Sequence, residues 1–179
     1  MNNPAYILVE VFADIVTTIK ANLNLAVLNY QFGYLDELNE TLKQYSENAT
    51  DAAKKYPLFW LVQPFTVNKI DSAGGAFYGT TKVRVVLFMH TEKLYKAKQR
   101  MDNIFKPVLI PIYSELLNQM DNHQAIVTKY GQRNHEYTER YYWGVIQQEN
   151  FNDAVDCIDI VNLEIDINNN LNCSNFKSF

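Results

Sequence analysis

The sequence predicts an α+β domain in which an antiparallel β-sheet with a long hairpin packs against helices on one face. Three observations lead to this prediction. Two apolar, β-prone segments, at 58–62 and 80–91, flank a tip that contains adjacent glycines. Segments before and after this hairpin carry apolar residues at three- and four-residue spacing, which is typical of amphipathic helices. Near the C-terminus, apolar and polar residues alternate as they do in a half-buried strand.

The first 45 residues predict a helix, a strand and a shorter helix. Asn3 and Pro4 resemble a helix N-cap and a first-turn proline, and apolar residues then recur at helical spacing as far as Leu23. Residues 23–32 predict a strand. The apolar positions of residues 35–45 predict the second helix, whose other face is polar.

The second strand of the hairpin is apolar on both faces. An ordinary antiparallel sheet has one solvated face, so a strand that is still apolar on the side away from the helices predicts that a neighbouring subunit covers that side. Val86 and Phe88 are the predicted outward residues of this strand. Phe77 and Tyr78 lie at the predicted hairpin tip, where aromatic side chains can dock on a neighbour. These four residues are therefore predicted interface residues.

The second half of the chain predicts two helices, a long loop and two strands. Residues 94–120 have the strongest helical periodicity, but Pro107 and Pro111 interrupt it, which predicts a kink or break near Lys106. Residues 121–140 lack periodicity and predict a loop. Strands are predicted in the last two segments, YYWGVIQQ and DAVDCIDIVNLEIDI. No linker divides the chain, so we expect one domain over residues 1–168 and a C-terminal tail over 169–179.

Composition and charge narrow the classes of function. The chain has 179 residues, 47% of them hydrophobic, and a net charge of -4, which argues against nucleic-acid binding as its main role. Two cysteines, Cys157 and Cys173, form no disulfide framework and no zinc-ribbon spacing, so reduced thiols in a cytosolic setting are expected. The N-terminus does not resemble a signal peptide, and no uninterrupted apolar run is long enough to span a membrane. We expect a soluble, non-exported chain.

The residue types that carry chemistry do not form a recognisable active site. His90, His123 and His135 lack the spacing of metal ligands, and Cys157 falls inside a predicted strand, where a small buried residue is expected. Glu164 and Asp166 share one face of the last strand, which suits an exposed acidic surface better than an acid/base pair. We therefore predict that the protein is not an enzyme and has no catalytic residue, metal site or cofactor.

Charge is unevenly distributed along the sequence. Residues 82–106 contain seven basic and two acidic side chains, whereas residues 151–179 contain five acidic side chains and one lysine. A solvated helix face explains most of the basic stretch. Alternatively, the two regions form complementary surfaces, because a basic edge that meets an acidic edge on the next copy fixes the register of a head-to-tail ring.

A resemblance to a known class of proteins rests on several segments that follow one another in the chain. They are YPLFWLVQPF, AFYGTTKVRVVLFM, YKAKQRMDNIFKPVLIPIYSELLNQM, YYWGVIQQ and AVDCIDIVNLEIDI. Together with the N-terminal helix, they resemble small virion proteins of tailed phages that infect Bacteroidetes hosts, of the tail-terminator or tail-completion class. The resemblance covers roughly residues 1–168, and its most specific part is FKPVLIPIYSELL.

The resemblance implies a virion protein that assembles in the host cytoplasm as a ring at the head-to-tail interface, either as a tail terminator or as a neck adaptor. Its expected partners are copies of itself and adjacent neck or tail-tube proteins. DNA is expected to pass through the channel without specific binding, and no membrane is involved. The alternative function is a monomeric binding module, or a transient assembly factor, that uses the same apolar sheet.

Two further sets of residues are predicted to make contacts in such a ring. The irregular segment before the last strands carries Tyr130, Arg133, Tyr137 and Arg140, residue types that are enriched in interface hot spots. A solvated loop explains the same composition equally well. Glu164, Asp166 or their acidic neighbours are expected nearer to the channel than the lysines of 93–106, because an acidic wall repels phosphate.

Overall fold

The computed structural model describes residues 4–47, 55–71, 77–127, 134–143 and 154–168. Within these ranges, helices and strands follow one another along the chain. They are α1 (Pro4–Asn22), β1 (Asn29–Gly33), α2 (Leu35–Glu47), β2 (Leu58–Val62), β3 (Val67–Asp71), β4 (Phe77–Thr91), α3 (Ala97–Arg100), a π-helical segment (Met101–Leu109), α4 (Ile110–Asn122), β5 (Ile126–Val127), β6 (Glu136–Arg140) and β7 (Ala154–Asn168).

The described strands form one seven-stranded sheet that is mostly antiparallel. Its centre is the antiparallel pair of β4 and β7, each 15 residues long. On the far side of β4 lie β2 and β3, which pair with successive parts of that strand. On the far side of β7 lie β6 and β5. β1 pairs with β2 in parallel, and this is the one parallel pair among the described strands. The predicted α+β class and the hairpin are confirmed.

A β-bulge interrupts the central pair. Val83 lies opposite Leu163, but Val85 lies opposite Ile160, so β7 has one more residue than β4 at this point. Asn162 takes up the extra residue with a φ of 57°, in the left-handed region that asparagine tolerates better than most residues. The inner-face positions of β7 therefore change from even-numbered residues, such as Ile158 and Ile160, to odd-numbered residues, such as Leu163 and Ile165.

One face of the sheet, called here the inner face, packs against α1, the π-helical segment and α4. Phe59 of β2, Val85 of β4 and Ile160 of β7 belong to this core, together with Phe12 of α1 and Leu116 of α4. All five side chains are fully buried. Burial on this scale stabilises the fold at about 25 cal/mol per Å² of apolar surface.

The opposite face, called here the outer face, has a smaller core of its own. Leu38 and Leu42 of α2 pack there with Trp60 of β2, Phe88 of β4 and Trp143. The sequence predicts helices on one face, whereas the structure has helices on both. An apolar stripe on a short helix shows that the helix packs on the sheet but does not show on which face.

A kink or break was predicted near Lys106. The helical run from Ala97 to Asn122 has no break, and the irregularity at this place is a π-helix. The chain widens into a π-helix around Pro107, and the Ile110 amide donates its hydrogen bond to the Phe105 carbonyl, five residues earlier. Proline has no amide hydrogen to donate, and the wider turn keeps the helix going past it. Pro111 lies in the first turn of α4, where proline is favourable.

Two other boundaries differ from the predicted ones. The first strand is Asn29–Gly33 rather than 23–32, because α1 runs to Asn22 and a turn follows it. The predicted loop at 121–140 contains β5 and β6, and residues 141–143 of the predicted strand YYWGVIQQ form a bend. The pairing of β6 with β7 is antiparallel over five residues and brings Tyr137 opposite Ile160.

Candidate interaction surface

Val86 and Phe88 are not available to a neighbouring subunit. Both side chains are 0% exposed in the single chain, so the prediction that they form an outward interface is wrong. Phe88 packs edge-on against Trp143, with ring centroids 5.3 Å apart, and α2 covers the same part of the sheet. The apolar outer face of β4 is therefore explained within one subunit.

The other predicted interface residues are placed only in part. Tyr130 and Arg133, the hairpin tip at 72–76 and the tail at 169–179 lie outside the described residues, as do the side chains of Phe77 and Tyr78. Tyr137 lies on β6 and is 37% exposed. Its ring packs on Tyr113 of α4, with centroids 4.8 Å apart, and its hydroxyl donates to Glu139. Burial, and secondarily Glu139, raises the pKa of Tyr137.

Arg140 belongs to an ion cluster on the outer face. Asp159 of β7 is fully buried and accepts two hydrogen bonds from Arg84, at 2.9 and 2.8 Å. Arg140 contacts the same carboxylate at 3.0 Å. Both guanidinium groups also lie near the indole of Trp143, at 5.9 and 5.8 Å from its ring centroid. Arg140 is thus engaged within the subunit, although part of its side chain reaches solvent.

Glu164 and Asp166 continue this line of charge along β7. Glu164 lies opposite Lys82 and forms an exposed salt bridge with it at 2.9 Å. Asp166 lies opposite Thr80, whose hydroxyl donates to it at 2.8 Å. Because these acids alternate with basic and hydroxyl partners, the outer face here is polar with little net charge rather than purely acidic. No described contact relates Glu164 or Asp166 to a channel.

A second buried ion pair was not predicted from the sequence. Asp156 of β7 and Arg100 of α3 are 0% and 2% exposed at their side chains and are directly hydrogen-bonded. Arg100 also lies over the ring of Tyr142, 3.7 Å from its centroid. Burial raises the pKa of Asp156, opposed by the hydrogen bond from the Tyr142 amide and by the guanidinium. An aspartate in an apolar strand is a signal of such a pair, but the sequence does not identify its partner.

Arg100 fixes the turn that precedes α3. Its guanidinium donates to the backbone carbonyls of Tyr95, at 3.0 Å, and Glu92, at 3.4 Å. The hydroxyl of Tyr142 donates to the carbonyl of Lys93. Hydrogen bonds from buried or half-buried side chains therefore fix the backbone of this turn. At its tip, Leu94 is 92% exposed, and Lys93, Lys96 and Lys98 surround it in sequence. We call residues 93–98 the basic turn.

The edge strand β1 offers a different surface. Among the described strands, β1 pairs with β2 only, so its other edge is open there. An open edge of this kind can accept another chain. Phe32 of β1 and the adjoining Tyr34 are 48% and 53% exposed, more than the other aromatic side chains in the described ranges.

Two grooves flank the open edge, and Phe32 lines both. The groove between β1 and α1 has a volume of about 520 Å³ and is mainly apolar, with Val9, Val16 and Leu28 on its walls and Glu10 and Lys20 among its polar residues. The groove between β1 and α2 has a volume of about 460 Å³ and is lined by Glu37 and Glu40 among others. We call Phe32, Tyr34 and these two grooves the edge surface.

Gly33 shapes the second groove. A Cβ atom at Gly33 would collide with the Glu37 carboxylate and approach the Trp60 ring to 3.1 Å. The close approach lets Glu37 accept a hydrogen bond from the Tyr34 amide at 2.7 Å, while the Trp60 indole donates to the Gly33 carbonyl at 3.2 Å. The position of an acidic side chain beside Phe32 therefore depends on a glycine at 33.

His123, His135 and Cys157 are placed by contacts or by burial within the subunit. No group of three His, Cys, Asp or Glu residues in the described ranges could hold a metal ion. His123 pairs with Asp14 at 3.1 Å, and His135 contacts the Tyr113 hydroxyl at 2.6 Å. Cys157 is fully buried, as predicted, and burial raises the pKa of its thiol well above the usual value.

Comparison of the sequence with models of known protein families and with curated proteins finds no match. In the described ranges, no helix combines the length and the apolar character needed to cross a membrane. The fold and its surfaces define an α+β domain with a closed two-sided core, an open sheet edge and a basic turn.

Proposed function

We propose that this chain is a virion structural protein that forms a ring at the head-to-tail interface of a tailed phage, as a tail terminator or a neck adaptor. The resemblance of its segments to tail-terminator and tail-completion proteins supports a ring at the head-to-tail interface as the assembly. The single structural observation that carries the proposal is the edge surface, where an open strand presents Phe32 and Tyr34 between two grooves. Strand edges and exposed aromatic residues are features of protein interfaces.

The distribution of exposed apolar side chains favours assembly over catalysis. The large hydrophobic residues that are exposed in the described part of the chain are Phe32, Tyr34, Leu94 and Tyr137. They lie on three separate parts of the surface, because Phe32 and Tyr34 are together at the edge surface, Leu94 is in the basic turn and Tyr137 is on β6. Contact between two different patches is heterologous, and heterologous contacts generate closed rings when the rotation between copies closes.

The outer face beyond α2 suits a wall along which DNA moves. The acidic side chains of β7 there have basic or hydroxyl partners. Three of these partners form ion pairs, namely Lys82, Arg84 and Arg140, and the hydroxyl of Thr80 donates a hydrogen bond to Asp166. A polar wall with little net charge gains few counterion-releasing contacts with phosphate, so DNA passes without specific binding. In this arrangement the channel lies on the side of Glu164 and Asp166, the basic turn points away from it, and adjacent neck or tail-tube proteins stack on the ring. The ring assembles in the host cytoplasm and resides in the virion.

The oligomeric state tests this proposal. We expect the purified chain to sediment as a closed oligomer across a concentration series, and electron micrographs to show rings with an opening wide enough for duplex DNA. A chain that stays monomeric at every concentration, and on addition of purified tail tubes, would instead be the monomeric binding module or transient assembly factor of the alternative interpretation.

A further inference from the structure

We infer that the ring is joined by insertion of the basic turn of one copy into the edge surface of the next. In this contact, Leu94 packs against Phe32 in the apolar groove between α1 and β1, and the lysines that surround Leu94 face the acidic side chains that flank Phe32. The inference rests on the proposed function and names the two patches that make the contact. The occupant of the edge surface is therefore a second copy of this chain.

The two patches have opposite charge. The basic turn carries Lys93, Lys96 and Lys98, and no described acidic side chain forms a salt bridge with any of them. The edge surface has three exposed glutamates, namely Glu10 in one groove and Glu37 and Glu40 in the other, against a single lysine, Lys20. Such complementarity orients two surfaces and accelerates their association.

The two patches also match in shape and rigidity. Leu94 is the most exposed large hydrophobic side chain in the described ranges, at 92%, and the groove beside Phe32 is concave and mainly apolar. Arg100 and Tyr142 hold the backbone of the turn in place, so the leucine is presented in one position. A rigid apolar anchor surrounded by polar residues loses little conformational entropy when it binds.

One copy cannot make this contact with itself. Phe32 of β1 lies opposite Leu61 of β2, and Leu61 in turn lies opposite Val85 of β4. Leu94 comes after Thr91, the end of β4, and six residues of extended strand from Val85 to Thr91 span about 20 Å. The basic turn and the edge surface therefore lie about 20 Å apart along the strand direction and follow different strands of the sheet. Their pairing links one copy to the next in a chain that can close.

Two double variants test the contact by mixing. The turn variant, Leu94→Asp with Lys96→Glu, disrupts the basic turn but keeps the edge surface. The edge variant, Phe32→Asp with Glu40→Lys, does the reverse. We expect each variant alone to be a folded monomer whose self-association is weakened by more than about tenfold. An equimolar mixture should form 1:1 dimers and nothing larger, because only one intact pair of surfaces is left. Lys106→Glu, which makes the same change in charge elsewhere on the helical run, should assemble like the wild type.

A disulfide experiment detects the same contact directly. In a Cys173→Ser background, where the remaining Cys157 is buried, Leu94→Cys and Phe32→Cys are made separately. Oxidation of the mixed single variants should give a covalent dimer, and a chain with both substitutions should give a ladder of multimers. Neither single variant alone should cross-link.

The outcomes separate this inference from the proposed function. If the wild type forms rings and either double variant still assembles, the ring stands and this contact is wrong, so that another partner or the tail at 169–179 occupies the edge surface. Cross-linked dimers from one single-cysteine variant alone would indicate a symmetric contact and would also overturn it. A wild-type chain that stays monomeric at every concentration and yields no ladder would overturn both.

Discussion

The guanidinium of Arg84 holds the carboxylate of Asp159 through two parallel hydrogen bonds across the central strands, with the closer pair of atoms 2.8 Å apart. Asp159 is fully buried, and Arg140 approaches it from the other side. A buried carboxylate needs such partners, since its desolvation is costly. The cluster ties β4, β6 and β7 together on the face that α2 only partly covers.

We predict that Asp159→Asn lowers the free energy of unfolding by about 3–5 kcal/mol, because it leaves two cations near a neutral buried group. Glu164→Gln is the matched control on the same strand. Its salt bridge with Lys82 is exposed, so its loss should cost less than about 1 kcal/mol. Urea denaturation followed by circular dichroism measures both values. Equal effects of the two substitutions would contradict the assignment of Asp159 to the core.

Phe88 should behave as a core residue. Phe88→Ala is expected to cost about 3–5 kcal/mol of folding free energy, since the ring is fully buried against Trp143 and α2. Leu94→Ala, at a highly exposed position, should change stability by no more than about 0.5 kcal/mol. Thermal unfolding of the two variants distinguishes a residue that holds the fold from one that is free to bind. A Phe88→Ala variant that is as stable as the wild type would show that the outer face is not closed within the subunit.

Replacement of Arg100 by lysine should loosen the basic turn. Lysine keeps the positive charge near Asp156, but it cannot donate in the same fork to the carbonyls of Glu92 and Tyr95. We expect faster amide hydrogen exchange in residues 92–96 and weaker self-association, at a modest loss of stability. The control is Lys106→Arg, an exposed basic substitution on the same helical run but outside the basic turn. Unchanged exchange in Arg100→Lys would mean that other contacts hold the turn.

Cys157 should be unreactive in the folded protein. Its side chain is fully buried, and burial, together with the nearby Asp159, raises the pKa of its thiol, so the reactive thiolate is scarce near neutral pH. In a Cys173→Ser chain, a thiol reagent should label Cys157 only as fast as the protein unfolds. Labelling at the rate of a free thiol under native conditions would place Cys157 at the surface.

The sequence predicted those elements whose signal is local. The periodicity of α1 and α2, the two strands of the hairpin and the alternation of β7 each lie within one segment, and all of them are present. Contacts between distant segments were missed. Arg100 and Asp156 are 56 residues apart in the chain, and nothing in either segment identifies the other as its partner. The face of the sheet on which α2 packs also depends on contacts between distant segments. Because α2 packs on the outer face, Val86 and Phe88 are buried within the subunit.

The edge surface was missed for a similar reason. The predicted strand at 23–32 starts six residues before β1 does, and nothing in its pattern indicates an open edge at Phe32. Whether a strand lies at the edge of a sheet depends on the order of all strands. The basic stretch, in contrast, was visible as composition, although the exposure of Leu94 within it was not.

The single extra residue at Asn162 sets the phase of the whole last strand. Upstream of it, odd-numbered positions such as Asp159 point to the outer face, and downstream of it even-numbered positions such as Glu164 do. A straight ladder through all the residues of β7, without the bulge, would turn Leu163 and Ile165 to the outer face and the carboxylates of Glu164 and Asp166 towards α1. Deletion of either Val161 or Asn162 would remove the extra residue and leave one regular alternation, with Leu163 and Ile165 still on the inner face. A one-residue change of length elsewhere in β7 would instead put the residues beyond it on the wrong face. The bulge therefore joins two halves of a strand whose apolar positions are out of phase by one residue.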